Sequence, residues 1–222
     1  MQWYNIPTRT RRRRMTPVAI LISGRGSNMR ALVEAVREGR LAADIRLVLS
    51  NRADAAGLAW AEEQGLPTLV MSHKEWPTRD AYDKALAEAL QKRGIRFVCL
   101  AGFMRVLGPA FVGAFPNAIV NVHPSLLPSF PGVDAQRQAF DHGVKTTGVT
   151  VHFVDEALDA GPIIAQAAVA VRDDDTVETL SARVLIEEHR LLPATVQQIL
   201  TEPWEIRGRR VVFGRSQEVQ KA

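Results

Sequence analysis

The stretch Val18-Ala19-Ile20-Leu21-Ile22-Ser23-Gly24-Arg25-Gly26-Ser27-Asn28 decides the architecture. Its five consecutive apolar residues suit a parallel strand buried on both faces. A glycine loop follows, and then Met29, Leu32, Val33 and Val36 fall at helical spacing until Gly39. Working outward, the same alternation recurs. Strands are expected over residues 45–49, 66–71, 97–101 and 118–121, with helices over 53–64 and about 78–93. This predicts an α/β fold with a doubly wound, mostly parallel sheet, Rossmann-like in its N-terminal half.

The pattern changes after residue 130. A short helix is expected over 135–142. Residues 147–153 alternate, with Val149, Val151 and Phe153 set against Gly148, Thr150 and His152, as in a strand with one face in water. A further strand over 162–171, a long helix from Thr176 towards Leu200 and a terminal hairpin over 206–213 complete a mixed sheet. A chain of 222 residues suits one domain, expected over 16–222.

The net charge of +4 could suggest a nucleic-acid partner, but Arg9 and Arg11 to Arg14 account for it. The remainder is close to neutral, so the basicity belongs to an arm over residues 1–15, expected to be disordered and dispensable. Met15-Thr16-Pro17 is also a plausible alternative start. No apolar stretch is long enough to span a bilayer. The single cysteine, Cys99, lies in an apolar run and is read as buried and unreactive. Nothing calls for an oxidising compartment, so the cytoplasm is the expected location, with no membrane or nucleic-acid partner; a monomer or homodimer is expected, and the sequence does not fix which.

Four constellations could carry chemistry. In Gly24-Arg25-Gly26-Ser27-Asn28 the glycines allow close backbone approach, and the helix start offers free N–H groups to a phosphate. Met29 replaces the third glycine of a dinucleotide fingerprint, no acid follows strand two, and no lysine makes a Walker loop. A single phosphate fits; so does a plain turn with Asn28 as helix cap. Ala101-Gly102-Phe103-Met104-Arg105-Val106-Leu107 could line a flat pocket or simply join the core. In Asn121-Val122-His123-Pro124-Ser125-Leu126-Leu127-Pro128, alternation puts Asn121 and His123 on one face, and Pro124 ends the strand there. An amide donor beside an imidazole can stabilise an oxyanion and move a proton. Asp155-Glu156-Ala157-Leu158-Asp159-Ala160-Gly161-Pro162 is either a solvated turn or the source of a carboxylate for His123. The five histidines show no metal-ligand spacing, and no metal is expected.

Read together, these motifs resemble the phosphoribosylglycinamide formyltransferases, a folate-dependent formyltransferase family, from about Val18 to Leu200. The resemblance runs through the four stretches above, through Ser50-Asn51-Arg52-Ala53-Asp54-Ala55 and Val151-His152-Phe153-Val154, and ends at Glu187-Glu188-His189. It implies formyl transfer from the co-substrate 10-formyltetrahydrofolate to glycinamide ribonucleotide in purine synthesis. Asn121, His123 and Asp159 would be catalytic. Gly26, Ser27 and Asn28 would hold the substrate phosphate, and Glu188 its ribose. Met104, Arg105, Val106 and Leu107 would cradle the pterin, along with Asn121 and Asp155, Glu156, Ala157, Leu158 and Asp159. Arg79 would meet a folate carboxylate. The alternative is a formyltetrahydrofolate hydrolase or another formyl-folate-dependent transferase. The hydrolases usually carry an N-terminal regulatory domain, and the phosphate seat favours the ribonucleotide. One departure is that Asp134 and Gln136 stand where relatives usually carry histidine.

Overall fold

The protein is described from a computed structural model over residues 15–214. The arginine arm expected at 1–15 lies, apart from Met15, outside the described residues.

The N-terminal half alternates as its apolar runs dictate: β1 (Thr16–Ile22), α1 (Ser27–Arg37), β2 (Ala43–Ser50), α2 (Ala56–Glu63), β3 (Thr68–Val70), α3 (Arg79–Lys92), β4 (Phe97–Leu100), α4 (Pro109–Ala114) and β5 (Ile119–His123). The second half adds α5 (Ala135–His142), β6 (Thr146–Phe153), β7 (Ile163–Ala170), α6 (Val177–Thr201), β8 (Trp204–Arg207) and β9 (Arg210–Phe213). One sheet takes the order β3-β2-β1-β4-β5-β6-β7-β9-β8. It is parallel from β3 to β5, then antiparallel at β5–β6 and β6–β7. The expected doubly wound, mixed sheet is therefore present.

Two apolar layers sandwich this sheet. Met29, Leu32 and Val33 of α1, Leu58 of α2 and Leu180, Val184 and Leu192 of α6 pack on one face. Tyr82, Leu86 and Leu90 of α3 and Phe111 of α4 pack on the other. Cys99 belongs to the first layer, where burial pushes its thiol pKa up and keeps it inert.

The strand order reverses between β1 and β4, which opens a crevice at their carboxyl ends. The Ser23 hydroxyl closes the base of that crevice. It donates to Asn51 Oδ1 (2.6 Å) after β2 and accepts from Met104 N (2.8 Å) after β4. Gly26 is required at the α1 start: its φ is +70°, and an added Cβ would lie 3.2 Å from the Gly57 backbone.

Three expectations need correction. Residues 109–114 form α4, unforeseen because six residues carry too little periodicity to register. The bounds of β1, β2 and β3 shift by a residue or two, while β5 ends at His123, where Pro124 is expected to end it, so both candidate catalytic side chains belong to a strand. Finally, β6 does not have a wet face, since its residues from Thr147 to Phe153 are all buried. The loop after β5 folds back over the polar face. Leu127 N donates to Thr150 Oγ1 (3.0 Å), Thr150 donates to Ser125 O (2.7 Å), and Gln166 Nε2 donates to Leu127 O (3.0 Å). Gly148 permits this packing, because a Cβ there would lie 2.0 Å from Ala167 O and 2.8 Å from Leu126 Cδ2.

Candidate active site

Asn121 and His123 share a face of β5, as alternation demands, and the antiparallel partner β6 sets His152 directly opposite Asn121. The loop after β6 turns so that Asp159, 36 residues beyond His123 in the chain, reaches it: Asp159 Oδ2 lies 3.4 Å from His123 Nδ1. His123 Nε2 lies 2.8 Å from Phe130 O. Both ring nitrogens thus face oxygen atoms, Nε2 at hydrogen-bond distance and Nδ1 further off. Gly132 N donates to Asp159 Oδ2 (2.8 Å), and Asp159 holds a positive φ of 48°. A non-glycine residue in that region is costly unless its surroundings impose it, and such cost gathers at functional sites.

In the sequence His152 belongs to an alternating strand and to one stretch of the resemblance, with no role of its own. In the structure it is 2% exposed and joins the site. Its Nδ1 pairs with Phe153 O (2.9 Å), which leaves Nε2 to accept from Asn121 Nδ2 at 3.2 Å. Burial lowers its pKa, against the opposing pull of the Phe153 carbonyl and of Asp159 (Oδ1 3.8 Å away), so the neutral ring persists. Neutral His152 therefore orients the Asn121 amide and leaves its second N–H free. Replacing His152 by Phe is expected to lower kcat by about 10–100-fold, the scale of a misplaced reacting group, with little change in either KM. Steady-state kinetics check this, and an unchanged kcat would remove His152 from the site.

The glycine loop and α6 meet through Asn28 and Glu188. Asn28 Nδ2 donates to Glu188 Oε2 (2.5 Å), while Asn28 Oδ1 is buried without a partner. Burial raises the Glu188 pKa, and the Asn28 bond opposes that. A cleft of about 580 Å³ opens beside Ser27, lined also by Arg30, Glu34, Arg40, His189 and Arg190. The Arg30 guanidinium stacks 5.1 Å over Trp60.

The residues expected to hold a folate fall in different settings. Met104, Val106 and Leu158 are exposed apolar side chains, whereas Leu107 is buried core. Arg105 lies 4.7 Å over the Tyr82 ring, and Arg79 sits 3.7 Å from Asp83 Oδ2 near Gly108. Asp155 caps Ala157 N (3.1 Å), and Leu158 lies against Gly132. Glu156 is exposed. Among the described residues, no group of three or more His, Cys, Asp or Glu gathers around a possible metal position. Nor, among the described residues, is any helix long and apolar enough to cross a membrane.

An amide, an imidazole and a carboxylate gathered on a doubly wound sheet that also carries a glycine loop are equipment suited to group transfer. Residues 16–196 match the formyl transferase family, well over half of the chain, and the chain belongs to that family. It is 39% identical over 186 residues to the phosphoribosylglycinamide formyltransferase of Bacillus subtilis (strain 168), covering 84% of this chain and 95% of that protein. Among solved structures, glycinamide ribonucleotide transformylase 1 from Symbiobacterium toebii is 50% identical with a TM-score of 0.88, covering 90% of this chain and 94% of that one. The trifunctional purine biosynthetic protein adenosine-3 of Bos taurus is 50% identical over 182 residues, 82% of this chain but 18% of that protein. The chain thus spans less than a fifth of the trifunctional relative's length.

Proposed function

We propose that the protein transfers the formyl group of 10-formyltetrahydrofolate to the amine of glycinamide ribonucleotide, a step of purine biosynthesis. The observation that carries this reading is the convergence of Asn121, His123 and Asp159 on one side of β5 and β6. The names of the relatives that match the chain over most of their length support the choice of substrates.

The neutral substrate amine attacks the formyl carbon, so a C–N bond forms and negative charge grows on the formyl oxygen. The free N–H of the Asn121 amide donates to that oxygen. At 3.4 Å the His123–Asp159 contact is longer than a formed N–H···O bond, so a proton on Nδ1 remains available to the same oxygen. Asp159 accepts the proton shed by the amine, directly or through water, and returns it to N10 of the folate as the C–N10 bond breaks. Atoms and charge balance with no covalent enzyme intermediate. Gly26, Ser27 and Asn28 seat the phosphate on the α1 N-terminus, and Glu188 takes the ribose hydroxyls. The buried, unpartnered Asn28 Oδ1 suits a hydroxyl donor there. Residues 104–107 and 155–159, with Arg79, enclose the folate.

The test is release of tetrahydrofolate with the ribonucleotide present and absent. Turnover that requires the ribonucleotide is expected. Equal turnover without it would overturn this reading in favour of a formyltetrahydrofolate hydrolase.

A further inference from the structure

Helix α3 carries a carboxylate that the chemistry above does not use. Asp83 is 0% exposed and sits in the apolar layer formed by Tyr82, Leu86 and Leu90. A carboxylate so placed is costly unless it is paired. It accepts one hydrogen bond, from Gly108 N at 2.7 Å, and has Arg79 Nε at 3.7 Å, while its Oδ1 has no hydrogen-bond partner. Packing alone would be better served by an apolar residue, so these two contacts supply the reason for a charge.

Both contacts lead to the proposed folate site. Gly108 follows directly on residues 104–107 and precedes the first residue of α4, so holding its N–H fixes the end of that segment. Arg79 is the residue expected to meet the folate carboxylate. Residues 79, 82 and 83 share one face of α3 by the helical repeat. Tyr82, the middle one, lies under the Arg105 guanidinium at 4.7 Å and is itself tied through its hydroxyl to Met71 O (3.1 Å). One helix face therefore holds the far end of the segment, its arginine, and a second arginine beside it. Burial raises the Asp83 pKa, while Gly108 N and then Arg79 oppose this.

We propose that Asp83 is a positioning residue for the folate half of the site, acting through Gly108 and Arg79 and touching neither substrate. The proposal rests on the formyl-folate reading of residues 104–107. Its test is calorimetric titration of 10-formyltetrahydrofolate and, separately, of glycinamide ribonucleotide into wild type, Asp83→Asn and Gly108→Ala. Asp83→Asn keeps the shape and removes the charge. Gly108→Ala works from the loop side, placing a Cβ 2.9 Å from Asp83 Oδ2, and so covers the case in which the buried variant fails to fold. Loss of one charged hydrogen-bond partner should weaken the folate roughly tenfold in each folded variant. Ribonucleotide affinity should stay within about twofold on the same scale. Folate affinity unchanged in the folded variants, or both ligands weakened alike, would overturn the proposal. Wild type that binds folate but transfers nothing to the ribonucleotide would sink the proposed reaction and leave Asp83 to be judged on folate affinity. Wild type that binds no folate would sink both.

Discussion

Asp159→Asn is expected to lower kcat by about 10²–10⁴-fold, the range over which a positioned acid–base group acts, while leaving both KM values within a few-fold. The substitution changes almost nothing else. An asparagine amide oxygen can still accept from Gly132 N, and asparagine is among the few residues that tolerate the positive φ of 48° found there. What disappears is the negative charge 3.4 Å from His123 Nδ1. Steady-state rates with the ribonucleotide saturating, together with a circular dichroism melt to show the fold intact, decide the matter. A variant within tenfold of wild type would take Asp159 out of the proton path and leave the transfer itself standing.

Asn121→Asp is the second severe case, with kcat expected to fall by about 10³-fold. Removing one oxyanion donor typically costs 10²–10³, and here an acceptor with negative charge takes its place. The new carboxylate would face His152 Nε2 at the position where the amide now donates at 3.2 Å. It would favour the charged ring at His152, where burial now lowers the pKa. Rate and titration should move together: activity collapses while the His152 pKa rises, as followed by the NMR chemical shift of its ring protons. Collapse of activity with the His152 titration unmoved would mean that the Asn121–His152 contact does not orient the amide.

The parts of this site legible in the sequence are those set by local rules. The β1–glycine loop–α1 unit follows from an apolar run, from turn chemistry and from helical spacing. The shared face of Asn121 and His123 follows from strand periodicity. Asp159 could be named only through a resemblance, because no local rule says how a loop 36 residues downstream will turn. His152 was hidden for a different reason. Alternation marked its face as polar, and polar was taken to mean wet, whereas the returning loop and the antiparallel register make it buried and opposite Asn121. Asp83 carries no local signal, and its partner Gly108 caps α4, a helix too short to leave a pattern.

The loop that covers β6 bears on how the molecule breathes. Connecting segments usually open at little cost, with exchange rates far faster than those of the strands beneath them. Here Leu127 N is bonded to the fully buried Thr150 hydroxyl, and Thr150 and Gln166 hold the loop carbonyls in turn. Freeing that one amide would strip a central strand of its cover and strand several buried polar atoms at once. Its hydrogen should therefore exchange with solvent about as slowly as those of β5 itself, so that His123 loses its setting only when the sheet unfolds.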